Sequence, residues 1–133
     1  MGEINTKRID EIVQKTLRGE TTFPEVVMEL MEQGVESYHV DLIRGENRYY
    51  TVRAQSYATA NFHTHANVPD EFSAERVVRA IRETQQGKID YQTFIEQIVA
   101  AGCSFYIACL TGRKVMYFGR KGDFHTEHFP TAT

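Results

Sequence analysis

Two pairs of histidine and carboxylate residues are the groups in this chain best suited to chemistry. His39 precedes Asp41, and His125 precedes Glu127, in each case by two positions. Residues two apart on a β-strand share one face, so each carboxylate could orient its histidine for general acid or base catalysis. The alternative is that both pairs are ordinary solvated strand positions, since strands often carry such polar pairs for solubility.

The other histidines raise the question of a metal site. His63 and His65 are also two apart, so on a strand they could supply two neighbouring ligands to zinc or a similar divalent ion, with His39, His125 or an acid completing the set. The alternative is again ordinary polar strand positions. His125 and His128 differ by three and face opposite ways on a regular strand. Apart from this possible ion we expect no cofactor, and the lack of a glycine-rich loop at the start of a helix argues against a nucleotide phosphate site.

The composition of the chain limits which binding partners and which cellular compartment we expect. The net charge of −3 and the isoelectric point near 5.9 give no reason to expect binding to nucleic acid. No apolar run approaches the roughly 18 residues that a membrane span needs, and the first residues lack the apolar segment of a signal peptide. Cys103 and Cys109 would lie about 20 Å apart on a strand, too far for a disulfide. Free thiols are typical of the cytoplasm, which is the expected location.

The apolar spacing predicts two helices followed by a hairpin. Residues 5–18 carry an apolar face at helical spacing, with Asn5 as a possible cap. A second helix has the capping-box pair Thr22 and Glu25 around its first turn and ends at Gly34. Residues 36–54 then alternate in polarity around a turn, which is typical of a β-hairpin.

The same order of elements recurs 68 residues later. Thr16, Gly19, Gly34, Tyr38, Leu42 and Tyr49 coincide with Thr84, Gly87, Gly102, Tyr106, Leu110 and Tyr117 without a gap. This indicates an internal duplication of a helix-helix-strand-strand unit. We therefore predict one α+β domain over residues 1–133, with pseudo-symmetric halves at about 5–65 and 73–129. The helices should pack on one face of a largely antiparallel sheet.

The far face of that sheet should differ between the two halves. If Tyr38 and Val40 face the helices, His39 and Asp41 face away, whereas the second half has Ile107 at the position of His39. An apolar half suggests a contact between two copies of the chain, a ligand groove, or cover from residues 55–72. Self-association as a homodimer is the favoured interpretation.

The chain also resembles the YbcV-like proteins, a bacterial family of unknown function often labelled "phage envelope protein". The resemblance rests on residues 85–130 and on the Tyr-His-x-Asp strand around His39. Its most specific positions are Gln86, Gly87, Tyr91, Ala101, Gly102, Tyr117, Gly119, Arg120, Gly122, His125, Glu127, Phe129 and Pro130. It implies a small α+β fold and no established activity, and the label is not evidence of a virion role. It favours His39, Asp41, Arg120, His125 and Glu127 as site residues over His63 and His65.

Together these patterns predict a small cytoplasmic binding or interaction protein, forming a homodimer, with no nucleic-acid or membrane partner. Its site would be a polar patch on the open sheet face, built from His39, Asp41, His125 and Glu127 with Arg120 nearby. Such a patch could hold a small polar ligand. The alternative is a metal-binding protein or an acid-base enzyme that uses the same patch, so the sequence leaves open whether the protein is an enzyme.

Overall fold

The computed structural model describes residues 3–61 and 67–130. Its first half contains helices α1 (Thr6–Leu17) and α2 (Phe23–Glu32) and strands β1 (Val35–Asp41), β2 (Glu46–Thr51) and β3 (Ser56–Ala60). Its second half contains α3 (Ala74–Gln85), α4 (Tyr91–Ala100), β4 (Cys103–Cys109), β5 (Lys114–Gly119) and β6 (Phe124–His128). The duplicated order of elements is therefore confirmed, and each half has a third strand.

Side-chain caps start all four helices, and those of the first two are the ones that the sequence predicts. The side chains of Asn5, Ser73 and Asp90 each accept a hydrogen bond from a backbone amide in the first turn of α1, α3 and α4. At α2 the Thr22 side chain accepts from the Glu25 amide while the Glu25 carboxylate accepts from the Thr22 amide. These bonds satisfy amides that have no partner within the helix.

The six strands form one antiparallel sheet in the order β3-β2-β1-β4-β5-β6. The two halves meet where β1 pairs with β4, with Val40 opposite Tyr106 and Tyr38 opposite Ala108. This pairing continues the sheet across the duplication and places β3 and β6 at its edges. The α+β class and the antiparallel sheet are confirmed.

The helices cover one face of the sheet, and the main core lies between the two layers. Buried side chains alternate along β1, β2, β4 and β5, as expected when one face packs against helices. Tyr38, Val40, Tyr106 and Ala108 point into this layer and are at most 6% exposed. The opposite face carries partly exposed side chains, including His39 and Ile107. Among the described residues no helix is long and apolar enough to cross a membrane.

Candidate functional site

A cavity of about 850 Å³ lies between the helices and the sheet. Its walls combine apolar side chains of all four helices, such as Val13, Val26 and Ile81, with tyrosines of the four inner strands. The lining residues that are exposed come from the turns that join paired helices, from the adjoining helix ends and from the end of β6, so the cavity reaches the surface there. Its volume and mainly apolar walls are typical of sites for small organic molecules.

Four tyrosines form the sheet side of the cavity. Tyr38 lies opposite Tyr49 in the β1–β2 pair, and Tyr106 lies opposite Tyr117 in the β4–β5 pair. Their ring centroids are 5.3 Å apart in the first pair and 5.4 Å apart in the second. Each of the four rings is at most 6% exposed. The duplication therefore places two equivalent tyrosine pairs along one wall.

The hydroxyl groups of these tyrosines have unequal partners. The Tyr106 hydroxyl lies 3.1 Å from that of Tyr91 on α4, so one of the two donates to the other. Within the described part of the chain, no hydrogen-bond partner is found for the hydroxyls of Tyr38 and Tyr117, although both residues are 6% exposed and line the cavity. Neither hydroxyl oxygen is fully enclosed, so both are accessible from the cavity that their residues line, which makes these two groups candidates for contact with a ligand.

A chain of side-chain amides leads to the fourth tyrosine. Asn61 Nδ2 donates to Asn47 Oδ1 at 2.7 Å, and Asn47 Nδ2 donates to the Tyr49 hydroxyl oxygen at 3.0 Å. Asn47 is 7% exposed and Asn61 is 1% exposed. The second half has Val115 at the position of Asn47 and Phe129 at that of Asn61. The amide chain therefore makes one half of the cavity more polar than the other.

Burial keeps the tyrosines of the cavity neutral. It raises the pKa of Tyr91 to about 12 and also raises the pKa values of Tyr38, Tyr49, Tyr106 and Tyr117 above the ordinary value. These hydroxyls therefore retain their protons at physiological pH and can donate hydrogen bonds.

His125 and Glu127 lie on the helix-facing side of β6, not on the open face. Glu127 Oε2 accepts from Arg82 of α3 at 2.7 Å, and Glu127 Oε1 lies 3.2 Å from His125 Nε2. Burial tends to raise the pKa of the Glu127 carboxyl, but the hydrogen bonds from Arg82 and His125 outweigh it, so the pKa is lowered. Glu127 also lines the cavity.

The first half has a corresponding link between its edge strand and its first helix. Tyr57 of β3, at the position of His125, donates through its hydroxyl to both Asp10 oxygens of α1 at 2.7 and 2.9 Å. Both edge strands are thus attached to a helix by polar side chains. This equivalence gives Arg82, His125 and Glu127 a structural role.

His39 and Asp41 lie on the opposite side of the sheet from that cluster. The centroid of the His39 ring is 5.0 Å from that of the Tyr50 ring. Burial and, as a smaller effect, the positive charge of the nearby Arg48 lower the pKa of His39. Asp41 Oδ1 accepts from the amides of Ile43 and Arg44 in the turn after β1. The predicted patch of His39, Asp41, His125 and Glu127 is therefore wrong. The strand β6 lies two strands beyond β4, and its register directs His125 and Glu127 towards the helices.

Arg120, the remaining predicted site residue within the described part of the chain, has a different contact. Arg120, in the turn after β5, donates through Nη1 to the carbonyl oxygen of Val68 at 3.0 Å. His63 and His65 lie outside the described residues, so a metal site that includes them stays a prediction. Across residues 3–61 and 67–130, no three His, Cys, Asp or Glu side chains are grouped closely enough to hold a metal ion. Cys103 and Cys109 are free thiols at opposite ends of β4.

The open face is divided as the sequence predicts. Its first half carries polar residues such as His39 and Arg48, and its second half carries the partly exposed side chains Phe105, Ile107, Met116 and Phe118 with the 57%-exposed Phe124. Phe105 and Phe118 stack with their centroids 4.7 Å apart. This second half is a continuous apolar strip over three strands.

Comparison with known proteins places the chain in a family. Residues 10–127 match the model of DUF1398, which is described as a protein of unknown function. The chain belongs to this family. No curated protein matches the chain. The match spans both halves of the duplication, including every tyrosine that lines the cavity.

Proposed function

We propose that the protein binds a small, largely apolar organic molecule in the cavity between its helices and its sheet. The observation that carries the proposal is a cavity of about 850 Å³ with apolar walls. The hydroxyls of Tyr38 and Tyr117 face this cavity, and in the described chain neither has a hydrogen-bond partner. A pocket of several hundred Å³ that combines apolar walls with a few polar groups is the usual form of a ligand site. The polar patch predicted from the sequence would instead need residues from both faces of the sheet.

A fluorescent probe tests the proposal directly. N-phenylnaphthylamine is neutral and apolar, and its emission rises when it leaves water. We expect it to bind the wild-type protein with one site per chain. Substituting Val115→Phe adds a ring to the cavity wall and should weaken binding at least about tenfold, because the added volume competes with the probe.

Matched controls separate the cavity from the open face. Met116 follows Val115 on the same strand but points to the other side of the sheet, so Met116→Phe should leave binding unchanged. Phe124→Ser removes the 57%-exposed ring of Phe124 from the open face and should also have no effect. If Val115→Phe remains folded by circular dichroism and binds the probe like wild type, or if Phe124→Ser abolishes binding, the cavity proposal is wrong.

We further propose self-association through the apolar strip of Phe105, Ile107, Met116, Phe118 and Phe124. Soluble chains rarely leave a large continuous apolar surface in water, and a second copy would bring an identical strip to a twofold contact. Sedimentation at tens of micromolar concentration should give about twice the chain mass of 15.3 kDa, and Phe124→Lys should shift it to the monomer. A monomeric wild-type protein would exclude this contact.

The resemblance to YbcV-like proteins and the cytoplasmic location stay predictions, and neither indicates an activity.

A further inference from the structure

The amide chain next to Tyr49 restricts what the cavity can recognise. The Tyr49 hydroxyl oxygen already accepts a hydrogen bond from Asn47 Nδ2 at 3.0 Å, and Asn47 Oδ1 is itself held by Asn61. A tyrosine hydroxyl whose oxygen is engaged in this way still has its proton to donate. In the part of the chain that the structure describes, no acceptor for that proton is found. Tyr49 is therefore oriented as a hydrogen-bond donor.

Tyr38 provides a second donor beside the first. Its ring lies opposite that of Tyr49 at 5.3 Å, both side chains are at least 94% buried, and both line the cavity. Its hydroxyl has no partner among the described side chains and backbone groups. Two adjacent neutral donors in apolar surroundings favour a ligand that presents an oxygen acceptor, because a ligand without one leaves both donors unsatisfied.

The charges along the cavity select among the possible acceptors. The lining residues that the structure describes include the carboxylates Asp90 and Glu127 but neither a lysine nor an arginine. The pKa values of both carboxyls are lowered: that of Asp90 chiefly by hydrogen bonds from Thr93, and that of Glu127, despite burial, by Arg82 and His125. Both remain charged at neutral pH; Arg82 compensates the charge of Glu127, whereas the charge of Asp90 disfavours an anionic ligand near it. A neutral acceptor such as a ketone, ester or amide carbonyl suits the site better than a carboxylate.

The duplication shows that this recognition belongs to one half of the cavity. At the equivalent positions of the second half, Val115 and Phe129 replace the two asparagines, and within residues 3–61 and 67–130 no side-chain amide orients the Tyr117 hydroxyl. The Phe129 ring packs against Phe23 at 5.5 Å instead. The two halves therefore offer a polar end and an apolar end to one molecule.

We propose that the natural ligand is a neutral molecule with an apolar body and a carbonyl oxygen, and that Tyr49 and Tyr38 bind this oxygen while Val115 and Phe129 contact the body. This inference rests on the proposed ligand-binding function and specifies the class of ligand. It also predicts a single orientation in the cavity, despite the duplicated fold.

A pair of probes isolates the contribution of the carbonyl. Prodan is a fluorescent naphthalene ketone, and its analogue with the carbonyl reduced to a methylene has nearly the same shape. We expect wild type to bind Prodan roughly threefold to tenfold more tightly than the analogue, as one or two neutral hydrogen bonds predict. Tyr49→Phe should remove most of this preference without weakening the analogue. Tyr50→Phe, a neighbouring substitution on the open face, should leave the preference intact.

Asn47→Val provides an independent variant, because it gives the first half the residue that the second half already has. It should reduce the preference for Prodan while the analogue continues to bind. If both probes bind equally well to wild type and to Tyr49→Phe, the carbonyl inference is wrong and the ligand-binding proposal survives. If neither probe binds folded wild-type protein, the ligand-binding proposal fails and the inference fails with it.

Discussion

Two equivalent glycines should respond very differently to the same substitution. Gly34 and Gly102 each follow the second helix of their half, with φ of 82° and 94°. Alanine at either position incurs the strain of a left-handed backbone, about 1–2 kcal/mol. A Cβ at Gly34 would meet nothing within 4 Å, whereas at Gly102 it would overlap the Glu71 carbonyl oxygen and lie 2.9 Å from Phe72 Cα.

The segment that Gly102 contacts has little freedom to move away. The Ser73 amide donates to the Ala101 carbonyl oxygen at 2.8 Å, and Val68 in the same segment is 3% exposed. Carbon atoms normally approach one another no closer than about 3.5 Å, so the backbone must shift. Overpacking of this kind typically costs a further 1–3 kcal/mol or so. We therefore expect Gly102→Ala to lower the free energy of unfolding by about 2–5 kcal/mol and Gly34→Ala by about 1–2 kcal/mol.

Urea unfolding followed by circular dichroism measures both variants against wild type. Failure of Gly102→Ala to fold, with Gly34→Ala folded, would also agree with the expected order. Equal losses of stability in the two variants would refute the reasoning, because they would show that residues 71–73 do not pack against Gly102.

Three further predictions concern local interactions. Thr22→Ala removes the capping box of α2 and should lower the free energy of unfolding by about 1 kcal/mol in urea; no change would show that the cap is dispensable. The pKa of Glu127 is lower in the folded protein than in the unfolded chain. The ionised carboxylate therefore stabilises the fold above the unfolded pKa, and this stabilisation is lost as pH falls through the folded pKa. Arg82→Met should therefore flatten the loss of stability in acid, and an unchanged acid limb would contradict the ion pair. Cys109 is partly exposed and should react with a thiol reagent in the folded protein. Cys103 is fully buried, its pKa is raised to about 12, and it should react only on unfolding. Equal reaction rates of the two thiols would contradict the burial of Cys103.

The elements and their order were predictable because local signals agree with the packing. The capping pair Thr22 and Glu25 and the positive-φ glycines mark helix ends whatever the tertiary structure. The repeat at 68 residues then gave the second half from the first. The third strands fall outside the predicted unit, since β3 and β6 lie at the edges and their residues alternate less clearly between buried and exposed.

The site was not predictable in the same way, because it depends on which strands are neighbours. His39 and His125 looked similar along the chain, but they face opposite sides of the sheet once the strands pair. In the sequence, Tyr38 and Tyr49 mark the duplication, and Tyr38 also belongs to the set expected to face the helices. Their recurrence as Tyr106 and Tyr117 was the available signal, because a large polar-tipped residue kept on the core face of both halves needs a reason beyond apolar packing.

The most direct test of the cavity is the contact between a bound probe and the tyrosine rings. Nuclear Overhauser measurements on protein with isotope-labelled tyrosine would locate N-phenylnaphthylamine at saturation. We predict contacts to the rings of Tyr38, Tyr49 and Tyr117 and none to Tyr50, which lies on the open face of the same strand as Tyr49. Contacts to Tyr50, or no contacts to the three cavity tyrosines, would contradict ligand binding between the helices and the sheet.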